Sequence, residues 1–239
     1  MAAQVNIKPR KITFSPNPDG SYEGQFEIVN DSSKELTMSL RLSDWNMTPE
    51  GEVKLKPVGA LDRSLGKWVS GYPKKVTVPP DSKKKLGFNV RLPEGGRVAR
   101  WGAFLVRPLE QGEKKEKGLN VGIKVQYAVT LYQKPLEESR SGQITNLSLE
   151  DRGKIVVADF VFDNTSGTFL RPAGSLKLVN ESGETVVTKD VGEFVVLPDH
   201  RRSVSLDLER PPPGSYRATL ILDYGVTERV GAIRKFEIE

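Results

Sequence analysis

The residues from Lys117 to Pro135, KGLNVGIKVQYAVTLYQKP, alternate between apolar side chains and polar or small ones. Every odd position from 119 to 131 is apolar: Leu119, Val121, Ile123, Val125, Tyr127, Val129 and Leu131. A period of two is the pattern of a β-strand that buries one face, so this stretch predicts a strand from Leu119 to Leu131. At about 3.3 Å per residue the strand is roughly 43 Å long, whereas most strands have about 5 to 6 residues. Its length raises the question of what covers its first half.

Short alternating or apolar runs recur along the rest of the chain, separated by Gly, Pro, Asn and Asp. No run keeps the 3.6-residue apolar period of a helix with a cap at each end. Strands at this spacing predict an all-β protein built from sandwiches. In the second half they include Glu193 to Val196 and Ser215 to Leu222. Tyr216, in the last of these, is either a corner tyrosine of a sandwich or a core tyrosine.

A polar segment, Lys134 to Gly142, separates two halves that are both rich in predicted strands. It has no apolar periodicity and contains Pro135 and Gly142, which are features of a domain boundary. We therefore predict two β-sandwich domains of similar size. The first spans residues 1–134 and ends in the long strand, residues 135–142 form a hinge, and the second spans residues 143–239.

Composition narrows the class of protein. The chain has 239 residues, of which 37% are hydrophobic, and this is enough to bury two cores. It contains no cysteine, which excludes disulfides, zinc–thiolate sites and thiol nucleophiles. No stretch approaches the ~20 apolar residues of a membrane span. The start, MAAQVNIKPRK, fits a mature exported protein whose signal has been removed, and it also fits a cytoplasmic start.

Charge is distributed unevenly between the halves. Residues 1–134 contain 23 Lys/Arg and 14 Asp/Glu, while residues 135–239 contain 13 and 17, for a net charge of +5. A basic half allows binding to a polyanion such as nucleic acid or acidic polysaccharide. Most of the basic residues fall in predicted turns and loops, such as Lys83–Lys85, without a ladder of stacking aromatics. This pattern favours solvated charge, and we predict no nucleic-acid partner.

Candidate catalytic chemistry is sparse. His200 is the one histidine, and it lies in a predicted turn, LPDHRR. The sequence contains neither a phosphate-binding glycine motif nor a cluster of His, Cys or spaced carboxylates that would hold a metal. We therefore predict that the protein is not an enzyme and has no cofactor or metal, so that its function lies in its surfaces.

The long strand is the main candidate surface. A sandwich of about 100 residues extends only about 20 to 30 Å along its strands, so part of a 43 Å strand should overhang. The apolar row of Leu119, Val121, Ile123 and Val125 is then an exposed edge on which another chain can add a strand. Two structural alternatives are that the row faces its own core or packs on the second domain.

Several segments of the first half resemble one known family in sequence and order: Lys11 to Phe14, Ile28 to Asn30, Thr77 to Pro80, Trp101 to Pro108, and the ending Leu131 to Pro135. The long alternating strand that ends in an aromatic, a basic residue and a proline is similar to the last first-domain strand of the periplasmic pilus-assembly chaperones of the chaperone–usher pathway, the PapD-like superfamily. The resemblance spans most of residues 5–135. It implies two immunoglobulin-like domains in a boomerang arrangement around a cleft.

The resemblance also implies a function, donor-strand complementation. A non-enzymatic chaperone in the periplasm would lend its long strand to a pilin-type β-subunit that lacks one strand of its own sandwich, with an outer-membrane usher as a further partner. The expected partner-binding residues are Leu119, Val121, Ile123, Val125 and Tyr127.

One position departs from the family pattern. The family holds the subunit's terminal carboxylate with an Arg on the first strand and a Lys on the long strand, which suits charge-assisted hydrogen bonds. Here Lys11 stands at the first position, with Arg10 beside it, and Thr130 stands at the second. The resemblance therefore implies an anchor at Lys11 and Arg10 that is either weakened or rebuilt, with Lys124 or Arg107 as a substitute for the missing lysine.

Two alternatives from other classes stay open at this point. A structural or adhesive surface protein of two immunoglobulin-like modules would have a covered long strand and no β-subunit partner. A polyanion-binding module would use the basic first half and bind with steep salt dependence. The edge itself is open, covered by the second domain, or paired with a second copy of the chain.

Overall fold

The computed structural model describes residues 5–109, 125–227 and 229–239. They form two compact units, and the predicted all-β fold with two immunoglobulin-like sandwiches is confirmed. The division after Glu137 falls inside the segment predicted as a hinge. Met47–Lys54, which the sequence assigned to the first domain, belongs to the second unit. Within the described residues, no helix is long and apolar enough to cross a membrane.

Ten strands precede the division after Glu137. In chain order they are β1 (Val5–Lys8), β2 (Lys11–Phe14), β3 (Ser21–Asn30), β4 (Leu36–Met47), β5 (Val53–Lys56), β6 (Val69–Ser70), β7 (Lys75–Val78), β8 (Ser82–Arg91), β9 (Arg100–Pro108) and β10 (Tyr127–Gln133). Two single 3-10 turns, Gly66–Trp68 and Pro93–Gly96, lie between them.

These strands form two sheets. One has the order β1-β3-β8-β6, and the other has the order β2-β10-β9-β4-β5, with β7 also paired to β4. Inward-facing side chains of both sheets make one core, in which Phe26, Phe88 and Phe104 are almost fully buried. The ring centroid of Phe104 lies 5.3 Å from each of the other two. Alternation along each strand therefore produces the core that the sequence pattern predicts.

The chain changes sheets between β1 and β2. β1 pairs with β3, and β2 pairs with β10, so the change occurs at Pro9 and Arg10. Proline has no amide hydrogen to donate to a ladder, so a strand is readily interrupted there. β2 consequently begins at Lys11 and runs parallel to β10, whereas the other described pairs of this unit are antiparallel.

A buried carboxylate holds the connection that leads from β5 to β6. Asp44 is fully buried and accepts hydrogen bonds from the amides of Gly59 and Leu61 at 2.9 and 3.3 Å and from the Ser64 hydroxyl at 2.7 Å. Three donors compensate for the loss of water around the carboxylate. These hydrogen bonds tie the connection to β4.

The second unit has seven strands of its own. They are β11 (Gly142–Asp151), β12 (Ile155–Asn164), β13 (Ala173–Asn180), β14 (Thr185–Val191), β15 (Arg201–Glu209), β16 (Gly214–Asp223) and β17 (Val230–Ile238). Their sheets have the orders β11-β12-β15 and β14-β13-β16-β17. Phe160, Phe162 and Leu220 lie at the centre of the core between them.

Tyr216 is a corner tyrosine. It lies near the start of β16, is 8% exposed, and its hydroxyl donates to the carbonyl oxygen of Pro212 at 2.6 Å. A tyrosine that bonds back to the backbone a few residues upstream closes a corner of many sandwich domains. The structure thus selects between the two interpretations that the sequence left open for this residue.

The two units share an asparagine corner that the sequence analysis missed. At the end of β3, the Asn30 amide donates to three carbonyl oxygens at 2.8–3.1 Å and its oxygen accepts the amide and hydroxyl of Ser32. At the end of β12, Asn164 makes the same arrangement, with three carbonyl oxygens at 2.8–3.1 Å and the amide and hydroxyl of Ser166. Asn-x-Ser after an alternating strand therefore marks equivalent places in the two sandwiches.

Two local predictions were wrong. Glu193 to Val196 is not a strand, because only Val196 makes an isolated bridge, to Leu170. Lys83–Lys85 lie within β8 and not in a loop. Lys83 and Lys85 flank Glu27 on the neighbouring strand, with nitrogen–oxygen distances of 4.0 and 3.8 Å.

Candidate functional site

The two edges of β10 are paired to different extents. On one side β9 pairs with the whole strand, from Tyr127 opposite Val106 to Gln133 opposite Arg100. On the other side β2 pairs only from Thr130 onward. Among the residues that the structure describes, no strand pairs with this second side from Tyr127 to Val129. We call this three-residue stretch the open edge.

Backbone groups of Ala128 point toward the open edge. The amide of Thr130 donates to the Arg10 carbonyl at 2.9 Å, and the amide of Lys134 donates to the Phe14 carbonyl at 2.8 Å, so even-numbered residues direct their backbone groups toward β2. Because backbone groups of successive residues in a strand face alternate sides, the amide and carbonyl of Ala128 face the same side, at a level just before β2 begins. Its amide and carbonyl are therefore placed to pair with an added strand.

The apolar row of β10 becomes more exposed toward the open edge. Leu131 and Val129 are fully buried, and Tyr127 is half-buried against the core of the first unit. The strand predicted from Leu119 to Leu131 was wrong in its described part, because β10 begins at Tyr127 and continues to Gln133. Val125 therefore lies just before the strand, and it is 42% exposed. The row thus passes from core to surface within seven residues. Leu119, Val121 and Ile123, which the sequence placed further along it, lie outside the described residues.

The other end of β10 is held firmly. The ring of Tyr132 packs edge-on against Trp45 at a centroid distance of 5.9 Å, and both are buried. The Gln133 side chain is fully buried and donates to the Gly96 carbonyl at 2.9 Å. A rigid end of this kind fixes the position of the open edge at the other end of the strand.

Two cations lie where β2 begins, beside the open edge. Lys11 is the Cα partner of Thr130, and Arg10 precedes it; both side chains are exposed. The carbonyl of Arg10 accepts the amide of Thr130 and also its hydroxyl, at 3.2 Å. The structure therefore brings together three of the residues that the resemblance singled out, and the hydroxyl of Thr130 is engaged with the backbone.

Neither of the two residues expected to replace the missing lysine is found near Arg10 and Lys11 in the described part of the chain. Lys124 lies outside the described residues. Arg107 lies on β9, four residues beyond Ala103, which pairs with Thr130, and this corresponds to about 14 Å along the sheet. The Arg107 guanidinium instead donates to the Gln126 side-chain oxygen at 3.0 Å. The prediction that Arg107 joins the anchor is therefore not supported by the geometry.

Sequence reasoning found the apolar row but missed the role of Ala128. Its side chain is small, and the feature that matters is its backbone. The signal that locates it is the place where β2 begins, which Pro9 marks. Elsewhere, His200 lies in its predicted turn with Nδ1 2.7 Å from the Pro198 oxygen. Within the described residues, no group of three or more His, Cys, Asp or Glu side chains is placed to hold a metal ion.

Comparison with known proteins gives a likeness of fold. No protein-family model matches the chain, and no curated protein matches it. It is similar over 98% of its length to 98% of a chain from the chaperone–tip adhesin complex of CFA/I fimbriae biogenesis, with a TM-score of 0.55 and 14% identity. It is also similar over 99% of its length to all of the class 5 fimbriae chaperone CfaA, with a TM-score of 0.52 and 12% identity.

A third similar structure is the CsuC–CsuE chaperone–tip adhesion subunit complex of the archaic chaperone–usher Csu pili of Acinetobacter baumannii. One of its chains matches with a TM-score of 0.51 and 12% identity, over 98% of each chain. The chain therefore has the two-sandwich fold found in structures of pilus chaperones, and the family resemblance is confirmed at the level of the fold.

Proposed function

We propose that this protein is a non-enzymatic, periplasmic chaperone of pilin-type or other β-rich subunits, which it holds by lending them β10. The observation that carries the proposal is the open edge, beside a row of apolar side chains that ends at the half-exposed Val125. Backbone hydrogen bonds to Ala128 would supply affinity, and the partly exposed side chains of Tyr127 and Val125 would enter the partner's groove. The fold that this chain shares with pilus chaperones supports the same function.

The geometry also favours one direction for the added strand. β2 occupies the edge of β10 from Thr130 onward, so a strand added beside Ala128 has to stop or turn away at Arg10 and Lys11. A strand parallel to β10 would bring its C-terminal end to these two cations, which favour a carboxylate. An antiparallel strand that starts there would bring its ammonium group to them. We therefore propose a parallel strand with a terminal carboxylate held by Arg10 and Lys11.

Amide exchange of the isolated protein tests the open edge without a partner. We expect the Ala128 amide to exchange fast and the Val129 amide, which faces β9, to exchange slowly in site-resolved NMR measurements. Equal protection of both amides would show that the edge is covered and would favour the structural or adhesive alternative. Protection of Ala128 that rises with protein concentration would show pairing with a second copy.

Co-expression tests capture of a partner. Pilin-type subunits of the same organism are co-expressed singly with the tagged chain in the periplasm, and 1:1 complexes are isolated. We expect Ala128→Pro to abolish a complex, because proline removes the donor at the open edge yet leaves the ladder to β9 intact. Ala128→Ser keeps the amide and should behave as wild type. Capture by the proline variant equal to that by the serine variant would refute strand addition at this edge.

The apolar row and the anchor have separate variants. Val125→Glu should weaken capture, while Ile233→Glu, at a 68% exposed position of the second unit, is the matched control. Thr130→Lys places a cation on β10 next to Lys11, where the family pattern has a lysine, and should tighten the complex. If Thr130→Lys leaves the affinity unchanged and Lys11→Gln does too, the carboxylate is not held at this place.

A further inference from the structure

The outward face of the six-stranded sheet carries an unusual group of cations next to the open edge. Ser39 of β4 pairs with Lys75 of β7 on one side and with Arg107 of β9 on the other, so these side chains lie in one row. Arg41, two residues further along β4, lies on the same face because side chains alternate along a strand. All three cations are exposed. We call Arg41, Lys75 and Arg107 the basic face.

The basic face has no acidic counterpart among the described residues. No carboxylate there lies within 4.0 Å of any of the three cations. The polar neighbours on this face are hydroxyls and an amide: Thr37 and Thr77, whose oxygens are 3.2 Å apart, Ser39, and Gln126, which accepts from Arg107. Leu105, the Cα partner of Arg41 on the same face, is apolar and buried. The sequence of residues 110–124 contributes three Glu and four Lys, so its net charge does not offset three cations.

The basic face is continuous with the open edge. Arg107 contacts Gln126, and Gln126 lies two residues before Ala128 on the same face. A strand added beside Ala128 would lie two strand spacings, about 10 Å, from β9, which carries Arg107, so the subunit surface that flanks this strand comes within about one Debye length of the nearest cation. Uncompensated charge at the rim of an interface changes the rate of association more than the rate of dissociation, because it acts over the Debye length before contact.

We propose that the basic face steers an acidic surface of the captured subunit onto the open edge. This inference rests on the proposed function and adds the chemistry of the partner: the subunit carries clustered Asp or Glu beside the groove that receives β10. Steering of this kind raises association rates and falls with ionic strength, while dissociation is set by the strand pairing itself. A polyanion is the competing occupant of the same cations.

Stopped-flow capture measures the two rates separately. The subunit that forms a 1:1 complex in co-expression is unfolded in denaturant and diluted into wild type or into a variant with Arg41→Glu, Lys75→Glu and Arg107→Glu. The control variant reverses three cations on the outward face of the second unit's four-stranded sheet, Lys177, Arg217 and Lys235. We expect association to fall about tenfold or more for the first variant at low salt, with dissociation changed less than about twofold.

Salt dependence completes the test. The difference between the first variant and wild type should vanish near 1 M salt, where the Debye length is about 3 Å, and the control variant should match wild type. Replacement of the same three cations by Gln should give a smaller loss of association rate, which separates charge from misfolding. Equal association rates for wild type and both Glu variants, with capture intact, would refute steering by the basic face but not strand addition at the open edge. Loss of capture by Ala128→Pro is then still expected, so the two proposals fail separately.

A final arm addresses the competing occupant. If 20-base-pair duplex DNA binds wild type at 150 mM salt and the Glu variant does not, while the subunit associates equally with both, the basic face is a polyanion site and the inference is overturned. Unchanged, weak binding of the duplex by both proteins, together with slower subunit capture, supports it.

Discussion

Replacement of Asn164 by Ala should destabilise the second unit severely for a single side chain. Asn164 is 3% exposed, and its amide group donates to the carbonyls of Thr168, Val196 and Leu197 at 2.8–3.1 Å. Its oxygen accepts the amide of Ser166 at 2.9 Å and the hydroxyl at 2.7 Å. Two amide hydrogens serve three carbonyls, so about four hydrogen bonds are lost.

At about 1 kcal/mol net for each hydrogen bond, the loss is about 4 kcal/mol. This is a large fraction of the roughly 5–15 kcal/mol that stabilises a domain. Water entering the space left by the side chain would satisfy part of the exposed carbonyls and reduce the loss to about 3 kcal/mol. Asn164→Asp should be at least as damaging at neutral pH, because it directs a carboxylate oxygen at three carbonyls.

The assay uses the placement of the tryptophans. All three, Trp45, Trp68 and Trp101, belong to the first unit, so their fluorescence reports that unit, while far-UV circular dichroism reports both. In urea, Asn164→Ala should shift only the dichroism transition, and Asn30→Ala should shift the fluorescence transition by a similar free energy. Thr165→Ala, which removes an exposed hydroxyl contact in the same turn, is the control and should change the free energy of unfolding by less than about 0.5 kcal/mol.

A loss below about 1 kcal/mol for Asn164→Ala would refute the reasoning, since it would mean that water replaces the whole set of bonds. A fluorescence shift equal to the dichroism shift would refute the assignment of the asparagine to one core.

Three further predictions concern the second unit. The guanidinium of Arg210, hydrogen-bonded to Asp151, holds the pKa of that carboxyl below its ordinary value of 3.8. The ionised carboxylate therefore stabilises the folded state above pH 3.8, and this contribution is lost as the pH falls below that value. Urea midpoints that decline equally below pH 3.8 in wild type and in Asp151→Asn would contradict this. Tyr216→Phe removes one hydrogen bond and should lower the free energy of unfolding by about 1 kcal/mol in urea titrations, and no loss would exclude a contribution from the corner. A Cβ at Gly174 would clash with the backbone oxygen of Ile221 in β16, so Gly174→Ala should cost about 1 to 3 kcal/mol by the same measurement, whereas Gly167→Ala, with open space around it, should be nearly neutral.

Most strands that bury one face were predictable from the sequence, although the four-residue β1 was missed, and β5, which buries none, was missed as well. β2, β3 and β8 alternate over enough residues for the period of two to stand out. β5 also alternates, as Val-Lys-Leu-Lys, but all four of its residues are exposed, so its alternation does not reflect burial of one face against a core. The error at Glu193 to Val196 has the opposite cause, since Phe194 packs against the core from a loop and not from a strand.

The candidate site was predictable in its side chains and not in its backbone. Alternation identified the row that leads through Tyr127 to Val125, and the resemblance identified Lys11 and Thr130 as neighbours. Which residues of β10 lack a partner depends on where β2 begins, and the pairing of two segments more than one hundred residues apart leaves no periodic signal in either. The basic face is hidden for the same reason, because Arg41, Lys75 and Arg107 come together only through the register of three strands.

The change of sheets at Pro9 determines how much of β10 stays unpaired on one side. A strand that began two residues earlier would extend β2 by one rung, reach Ala128, and close the edge from within the chain itself. The number of β10 residues left unpaired on this side is therefore set by the position of Pro9, more than one hundred residues earlier in the sequence, and not by the residues of β10.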